Sequence, residues 1–272
     1  MARRTIVIYG KGGVGKSTVA SHLADCFAGG GRRVLLVGCD PKTDSSLRLL
    51  GPKRPRTVVE SIADRSLDWT DLRMRSDSGV DVVETGGALP GSGCAGQGVA
   101  AMVRMLRRNP AALDDYDVVL FDVLGDLVCG GFVAPMDLGQ GSHVFIVSSE
   151  EPASLFAANN VVRALAQPLW HHVPAGGIVF NVRGRFRSGV LREFAARLGL
   201  PVVAILRRSA TVAAAERVFS TAIRFAPDSS AARDFRKLAR AVEAATDARG
   251  AAPLTPMDLD EFREFVIRSR AG

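Results

Sequence analysis

The stretch that decides the fold reads Thr5-Ile6-Val7-Ile8-Tyr9-Gly10-Lys11-Gly12-Gly13-Val14-Gly15-Lys16-Ser17. Its first five residues are β-branched or apolar and predict a buried strand, whereas residues 17–28 follow a helical pattern. The loop between them, Gly10–Ser17, fits the spacing G-x-x-x-x-G-K-[S/T] in the required place, after a strand and at the start of a helix. Backbone N–H groups of such a loop converge on phosphate oxygens, and the helix N-terminus adds partial positive charge. The stretch therefore predicts a P-loop that binds and hydrolyses ATP.

The residues of this loop have distinct expected roles toward MgATP. Lys16 is expected to reach the β- and γ-phosphates, and the Ser17 hydroxyl is expected to ligate Mg²⁺. Lys11 is a second lysine, which the phosphate cradle itself does not require. It suits a dimer in which each loop donates a cation to the nucleotide of the other subunit, and a solvated loop lysine is the alternative. The other positions expected to contact the nucleotide are Gly10, Gly12, Gly13, Val14, Gly15 and Thr18.

Four aspartates are placed to complete a hydrolytic site. Asp40 and Asp44 follow the second predicted strand and are expected to reach Mg²⁺ or its waters. Asp122 ends an apolar strand, as a Walker B acid does, and Asp126 is expected to orient the attacking water. Because aspartate also caps helices and forms turns, a structural role is the alternative for each. The catalytic set is therefore Lys11, Asp40 and Asp126, with Asp44 and Asp122 assigned to cofactor binding.

Apolar strands alternate with amphipathic helical patterns along the chain, which is typical of a mostly parallel, twisted sheet with helices on both faces. We therefore predict an α/β fold of the P-loop NTPase class, in a single domain over residues 1–246. Residues 247–256 are rich in Gly, Pro and Ala, so residues 247–272 are interpreted as a linker and a charged tail. Strands are predicted at 5–9, 33–38, 80–84, 117–122, 143–148, 177–181 and 201–205, and helices at 17–28, 98–108, 152–166, 189–198, 212–219 and 229–245.

Composition and charge narrow the class of protein. The 272 residues are 47% hydrophobic and 23% charged, which is ordinary for a globular chain. No apolar run approaches the roughly 18–20 residues of a membrane span, and the basic start leads straight into a strand. We therefore expect a cytoplasmic protein with no membrane partner. The net charge of +7 allows nucleic-acid binding, but the arginines are spread along the chain without interleaved aromatics, which does not favour a nucleic-acid partner.

Two of the four cysteines stand in matching glycine-rich surroundings, Gly93-Cys94-Ala95-Gly96 and Cys129-Gly130-Gly131. Each precedes a helix-like stretch, where backbone N–H groups could hydrogen-bond the sulfides of an iron–sulfur cluster. Two thiolates per chain cannot complete a four-cysteine site, whereas two chains related by a twofold axis can. The alternative is that both cysteines are small buried hydrophobic residues.

Four longer runs resemble the nitrogenase iron protein (dinitrogenase reductase) family, namely 9–18, 37–45, 93–98 and 122–132. Weaker likeness at 157–160 and 225–240 extends the resemblance over nearly the whole chain. It implies a homodimer with one [4Fe–4S] cluster between the subunits, ligated by Cys94 and Cys129 of each. It also implies MgATP-gated electron transfer, from a donor such as ferredoxin or flavodoxin, to a larger partner that carries the catalytic cofactor. Asn181 matches a residue of that family that recognises the purine, and Cys39 is not a ligand in it.

Two places depart from the nitrogenase members of that family. Gln97 stands where those members carry a docking arginine, and Arg207-Arg208-Ser209 replaces a Pro-Arg-Asp stretch near the nucleotide base. One alternative is therefore the reductase component of another nitrogenase-like enzyme, acting on a tetrapyrrole or a sulfur compound, although Cys94-Ala95-Gly96 resembles the nitrogenase branch more closely. A partitioning or division-site ATPase of the ParA/MinD type also shares the two-lysine loop, but it has no need of paired, glycine-flanked cysteines.

Overall fold

A computed structural model describes residues 3–64, 68–87, 96–125, 142–170, 172–248 and 253–270. Eight strands in these ranges form one sheet in the order β3-β4-β2-β5-β1-β6-β7-β8. All pairings are parallel except that of β3 with β4. The strands are β1 (Arg4–Tyr9), β2 (Val34–Gly38), β3 (Met74–Arg75), β4 (Asp81–Glu84), β5 (Val118–Asp122), β6 (Ser142–Ser148), β7 (Ala175–Val182) and β8 (Val202–Arg207).

Every strand predicted from the sequence is present at closely matching bounds. Among the strands of the described residues only β3 was missed, because two residues carry no periodic pattern. The predicted helices are present as well. Short helices at 47–50, 58–63, 69–72 and 222–225 were not predicted. The helices are α1 (Lys16–Gly29), α2 (Leu47–Leu50), α3 (Val58–Ala63), α4 (Trp69–Leu72), α5 (Gly96–Arg108), α6 (Pro152–Leu165), α7 (Ser188–Arg197), α8 (Ala210–Arg217), α9 (Ala222–Phe225), α10 (Ser230–Asp247) and α11 (Leu259–Arg270).

Side chains of the central strand β1 point alternately into two separate cores, one on each face of the sheet. Val7 and Tyr9 pack into the core that α5, α6, α7 and α11 cover. Ile6 and Ile8 pack into the core that α1 and α10 cover. Because both faces are buried, each strand is apolar throughout, as the sequence pattern indicated. The predicted α/β fold of the P-loop class, with helices on both faces of a mostly parallel sheet, is confirmed.

Residues 253–270, which the sequence pattern placed in a linker and tail, pack against the body of the fold. Asn159 donates to the Met257 carbonyl oxygen at 2.8 Å and accepts from the Met257 amide at 2.9 Å. On α11, Phe262 and Phe265 are buried in the core shared with α6 and α7. The two phenylalanines are three residues apart and therefore share one face of the helix.

The sheet reverses its winding at β1, which lies between β5 and β6. The loop that follows β1 therefore opens into a crevice at the carboxyl ends of the strands, which is where ligands bind in open α/β sheets. Within the ranges that the structure describes, none of the helices combines the length and the apolar character that a membrane span requires.

Candidate nucleotide site

A cleft of about 830 Å³ lies at the carboxyl ends of the parallel strands. Its walls come from the P-loop, from the turn after β2, from the end of β5 and from the β7 and β8 side of the sheet. The fold thus brings together residues that are far apart in the sequence. Of the residues predicted to serve the nucleotide, those that line the cleft are Gly12, Gly13, Gly15, Lys16, Ser17, Thr18, Asp40, Asp44, Asp122 and Asn181.

The P-loop has the backbone geometry of a phosphate cradle. Gly15, at the N-cap of α1, has a φ of 100°, a left-handed conformation that side chains disfavour. A Cβ atom on Gly10 would lie 2.0 Å from the Val147 carbonyl oxygen, so the loop can leave β1 only with glycine there. Lys16 is 7% exposed and donates to the Lys11 carbonyl oxygen at 3.3 Å. The first N–H groups of α1 therefore face the cleft beside a buried lysine, as a bound phosphate requires.

Two aspartates stand beside the loop with oxygen atoms suited to a hydrated cation. Asp122 is 2% exposed, and its Oδ2 accepts from the Ser45 hydroxyl at 2.6 Å. Burial raises the pKa of Asp122, and hydrogen bonds from Ser17 and Ser45 oppose that rise. Asp122 Oδ1 and Asp44 Oδ1 are buried without a hydrogen-bond partner among the described residues. Hard carboxylate oxygens beside the Ser17 hydroxyl fit Mg²⁺ or its bound waters.

A third buried carboxylate, Glu84, was missed by the sequence reasoning. It is fully buried at the end of β4, and its Oε1 accepts from the Ser46 amide at 2.7 Å. Burial raises the pKa of Glu84 to about 8, with further upward contributions from Asp122 and Asp44. The available signal was an acid that ends a buried apolar strand, which is the pattern that identified Asp122.

Three other predicted residues have clear positions near the cleft. Asp40 lines the cleft, and its Oδ1 accepts from the Lys42 amide at 2.9 Å, which also gives it a turn-forming role. Asn181 is the penultimate residue of β7 and donates to the Val14 carbonyl oxygen at 2.9 Å. Lys11 is half-buried and, with Gly10 and Val14, is not among the residues that line the cleft of its own chain.

Several charged residues of the cleft were not predicted. Arg183 donates to the Gly13 carbonyl oxygen, so a cation touches the P-loop backbone. Arg48 on α2 forms an ion pair with Glu216 on α8. Arg208 also lines the cleft, but its place was anticipated, because Arg207-Arg208-Ser209 stands where the family has a stretch near the nucleotide base. The contacts of Arg48 and Arg183 do not follow from a local motif, because each joins segments that are distant in the sequence.

Asp126, Cys94 and Cys129 lie outside the described residues. The structure does describe the other two cysteines. Cys39 is fully buried, and burial raises its pKa well above the usual value; burial also raises the pKa of Cys26 to about 12. Both thiols are therefore held in the protonated form by burial. The described residues contain no group of three or more His, Cys, Asp or Glu able to hold a metal.

Solved structures share this fold at low sequence identity. The cell division ATPase MinD of Pyrococcus furiosus is similar with a TM-score of 0.72 and 21% identity, over 89% of this chain and 99% of that chain. The structure of cobyrinic acid a,c-diamide synthase of Mycobacterium smegmatis with bound ATP analog and magnesium is also similar. Its TM-score is 0.67 at 21% identity, over 93% of this chain and 99% of that chain. At these identities the likeness establishes the fold alone.

Sequence comparison is more specific. The chain is 39% identical over 268 residues to nitrogenase iron protein 2 of Methanothermobacter thermautotrophicus (strain Delta H), covering 98% of both chains. Residues 4–268 match the family model described as 4Fe-4S iron sulfur cluster binding proteins, NifH/frxC family. The predicted resemblance is therefore confirmed, and the chain belongs to the NifH/frxC family of 4Fe–4S iron–sulfur cluster binding proteins.

Proposed function

We propose that this protein is an ATP-dependent electron-transfer reductase. In this proposal two copies of the chain hold one [4Fe–4S] cluster between them and pass electrons to a larger catalytic partner. The observation that carries the proposal is the cleft itself, in which the P-loop faces two buried, unpartnered carboxylate oxygens of Asp44 and Asp122. Membership of the cluster-binding family supports the redox part.

The described residues supply most of the groups proposed to bind a magnesium-bound triphosphate, and Asp126 is added from the sequence. Lys16 neutralises the β- and γ-phosphates, since its ammonium lies buried at the loop. Ser17, Asp44 and Asp122 hold Mg²⁺ and its waters. Asp40, in the turn after β2, reaches Mg²⁺ or its waters. Asp126 orients the attacking water. Asn181 contacts the base, because it closes the cleft beside the P-loop at Val14.

Lys11 serves the nucleotide of the other subunit in this proposal. Its own cleft already contains the buried Lys16 and four arginines, namely Arg48, Arg183, Arg207 and Arg208. Lys11 does not line that cleft, so it is available to act across a dimer interface. A cation delivered in this way stabilises the charge that develops during phosphoryl transfer.

Cys94 and Cys129 are the proposed cluster ligands. They stand in matching glycine-rich surroundings, and the family resemblance implies these two positions as the ligands. With two thiolates per chain, a twofold dimer supplies the four ligands that such a cluster needs. The cluster supplies a one-electron redox centre when it is bound. A donor of the ferredoxin or flavodoxin type would reduce it, and the acceptor is a nitrogenase or nitrogenase-like catalytic component.

Anaerobic purification followed by three measurements tests the proposal. We expect a dimer, about four irons per dimer with a broad absorption band near ~400 nm, and hydrolysis of ATP. A colourless protein without iron that still hydrolyses ATP would favour a partitioning ATPase, whose fold this chain shares. A protein that binds no nucleotide would overturn the assignment of the cleft.

A further inference from the structure

The turn of residues 40–46 is held at its far end by two buried carboxylates from different strands. The Ser45 hydroxyl donates to Asp122 at the end of β5, at 2.6 Å. The next residue, Ser46, donates its amide to Glu84 at the end of β4, at 2.7 Å. The same turn carries Asp40 and Asp44, both of which line the nucleotide cleft. Asp122 and Glu84 therefore clamp adjacent residues of one functional turn.

The fold gives Glu84 a fixed place. Gly38 is paired with Glu84 in the β2–β4 ladder, and a Cβ atom on Gly38 would lie 2.0 Å from Glu84 Oε2. Only glycine at position 38 leaves room for the carboxyl group. Glu84 Oε2 has no hydrogen-bond partner among the described residues. Burial of this oxygen therefore carries a desolvation free energy that a packed apolar side chain would not have.

The turn itself is strained and needs to be held. Thr43 has a φ of 54°, in the left-handed region that a β-branched residue seldom adopts. Such conformations persist where surrounding contacts over-determine them, and they are frequent at ligand sites. The contacts that tie the end of this turn to neighbouring strands include those of Ser45 with Asp122 and of Ser46 with Glu84.

We infer that Glu84 is a positioning residue of the nucleotide site, which holds Asp40 and Asp44 at the side of the cleft where Mg²⁺ and its waters are expected, by accepting a hydrogen bond from the Ser46 N–H. This inference rests on the proposed ATPase function. Glu84 is not among the residues that line the cleft, so in this inference it does not contact the nucleotide or the cation directly. Its effect reaches the reaction only through the turn of residues 40–46.

Two substitutions separate the hydrogen bond from the bulk of the side chain. Glu84→Met keeps the size but removes the acceptor, whereas Glu84→Gln retains an oxygen for the Ser46 N–H. In the purified 272-residue chain we expect Glu84→Met to slow ATP hydrolysis by at least about tenfold, because small misplacements of catalytic groups have effects of this size. The dissociation constant for ADP should stay within about threefold of the unsubstituted value. Glu84→Gln should keep a hydrolysis rate within about threefold of the unsubstituted chain.

Two further variants guard against a purely structural explanation. Gly38→Ala would place a methyl group 2.0 Å from Glu84 Oε2 and 2.8 Å from Ser45 Cβ, so it displaces the carboxyl group and the turn together and should reproduce the kinetic loss of Glu84→Met. Asp81→Leu removes a buried carboxylate from the opposite end of the same strand, where Tyr116 donates to it at 2.8 Å. It should lower the melting temperature and leave the rate of hydrolysis unchanged.

Each result decides the matter. Normal hydrolysis in Glu84→Met would overturn the inference while leaving the ATPase function intact. A loss in Glu84→Gln as large as that in Glu84→Met would overturn it too, because charge and not the hydrogen bond would then matter. If the unsubstituted chain fails to bind or hydrolyse ATP, the proposed function itself fails.

Discussion

Gly125 lies directly against the backbone of Gly10. A Cβ atom at residue 125 would stand 2.3 Å from the Gly10 carbonyl oxygen and 2.6 Å from the Gly12 amide nitrogen. Backbone atoms cannot yield as the end of a flexible side chain can, so a methyl group at this position requires one of the two segments to move. The P-loop and the residues that directly follow β5 therefore constrain each other.

Gly125→Ala should weaken nucleotide binding by at least about tenfold, because the new methyl group displaces the loop whose N–H groups face the phosphates. Titration with ADP measures this directly. Gly29→Ala is the matched control, since a Cβ atom at the end of α1 meets nothing within 4 Å. Equal affinity in the two variants would show that the loop tolerates the displacement.

Cys94→Ser and Cys129→Ser should each abolish iron binding, because a serine oxygen is a poor replacement for the soft thiolate that an iron–sulfur cluster requires. Cys26→Ser should retain iron, since burial raises the pKa of Cys26 to about 12 and it is not a ligand in the proposed site. Iron content of the anaerobically purified variants decides the assignment. Full occupancy in Cys94→Ser would refute it.

Lys16→Ala and Asp126→Asn should have different kinetic signatures. Removing the buried Lys16 ammonium takes away the charge that binds the phosphates, so nucleotide affinity itself should fall. Asp126→Asn should leave MgATP binding nearly intact and slow hydrolysis by at least ~10²-fold, the usual range for a lost general-base role. Affinity and turnover, measured in both variants, separate the two roles. Normal turnover in Asp126→Asn would remove it from the catalytic set.

Acid should destabilise the fold partly through His22. Its Nδ1 lies 2.7 Å from the Thr18 carbonyl oxygen, its Nε2 accepts from the Ala222 amide at 2.9 Å, and its ring stacks on Phe235. Burial lowers the pKa of His22 from 6.5 to about 3. Between these two pKa values the unfolded chain binds a proton at His22 and the folded chain does not. The contribution of His22 to the free energy of unfolding is therefore fully present above about pH 6.5 and is lost as the pH falls toward 3.

Replacement of His22 by Gln removes this proton linkage. The free energy of unfolding of the variant should fall less steeply over that pH range, by up to about 1.4 kcal/mol per pH unit. Urea unfolding at a series of pH values provides the comparison. Parallel curves for the two proteins would mean that His22 does not govern the acid response.

Gln97 should contact the electron acceptor. It is exposed on the first turn of α5, three residues after the proposed ligand Cys94. A neutral amide there lacks the bidentate cationic donor that an arginine offers to carboxylates. We therefore expect that this chain supports a molybdenum-dependent nitrogenase component at least about tenfold more poorly in acetylene reduction, because an acceptor carboxylate would lose its charged partner. Gln97→Arg should restore part of the activity. Undiminished activity of the unsubstituted chain would show that the side chain at position 97 does not affect transfer to this acceptor.

The local sequence was sufficient to predict the P-loop and the positions of all of the described strands but β3. A phosphate loop depends on glycines a few residues apart, so Gly10, Gly15 and Lys16 define it within one short segment. Strands buried on both faces are marked by continuous apolar residues, as in β1 and β5. The identity of the cluster ligands likewise rests on short motifs around Cys94 and Cys129, and these remain predictions.

The polar and charged pattern of residues 253–270 was a poor guide to their packing. Only one face of α11 is apolar, and its Phe262 and Phe265 become buried because α6 and α7 present a matching surface. Such a helix is too short to be stable alone, so its packing partners decide whether it forms.

What the sequence by itself determined is therefore the class of fold, the phosphate loop and the family. What only the tertiary structure decided is how distant polar groups meet. Ser46 and Glu84 are 38 residues apart, and Arg48 and Glu216 are 168 apart. No local periodicity encodes such pairs, because they form only when strand order and register bring two loops to the same end of the sheet. Glu84 acquires its place in the turn of residues 40–46 for that reason.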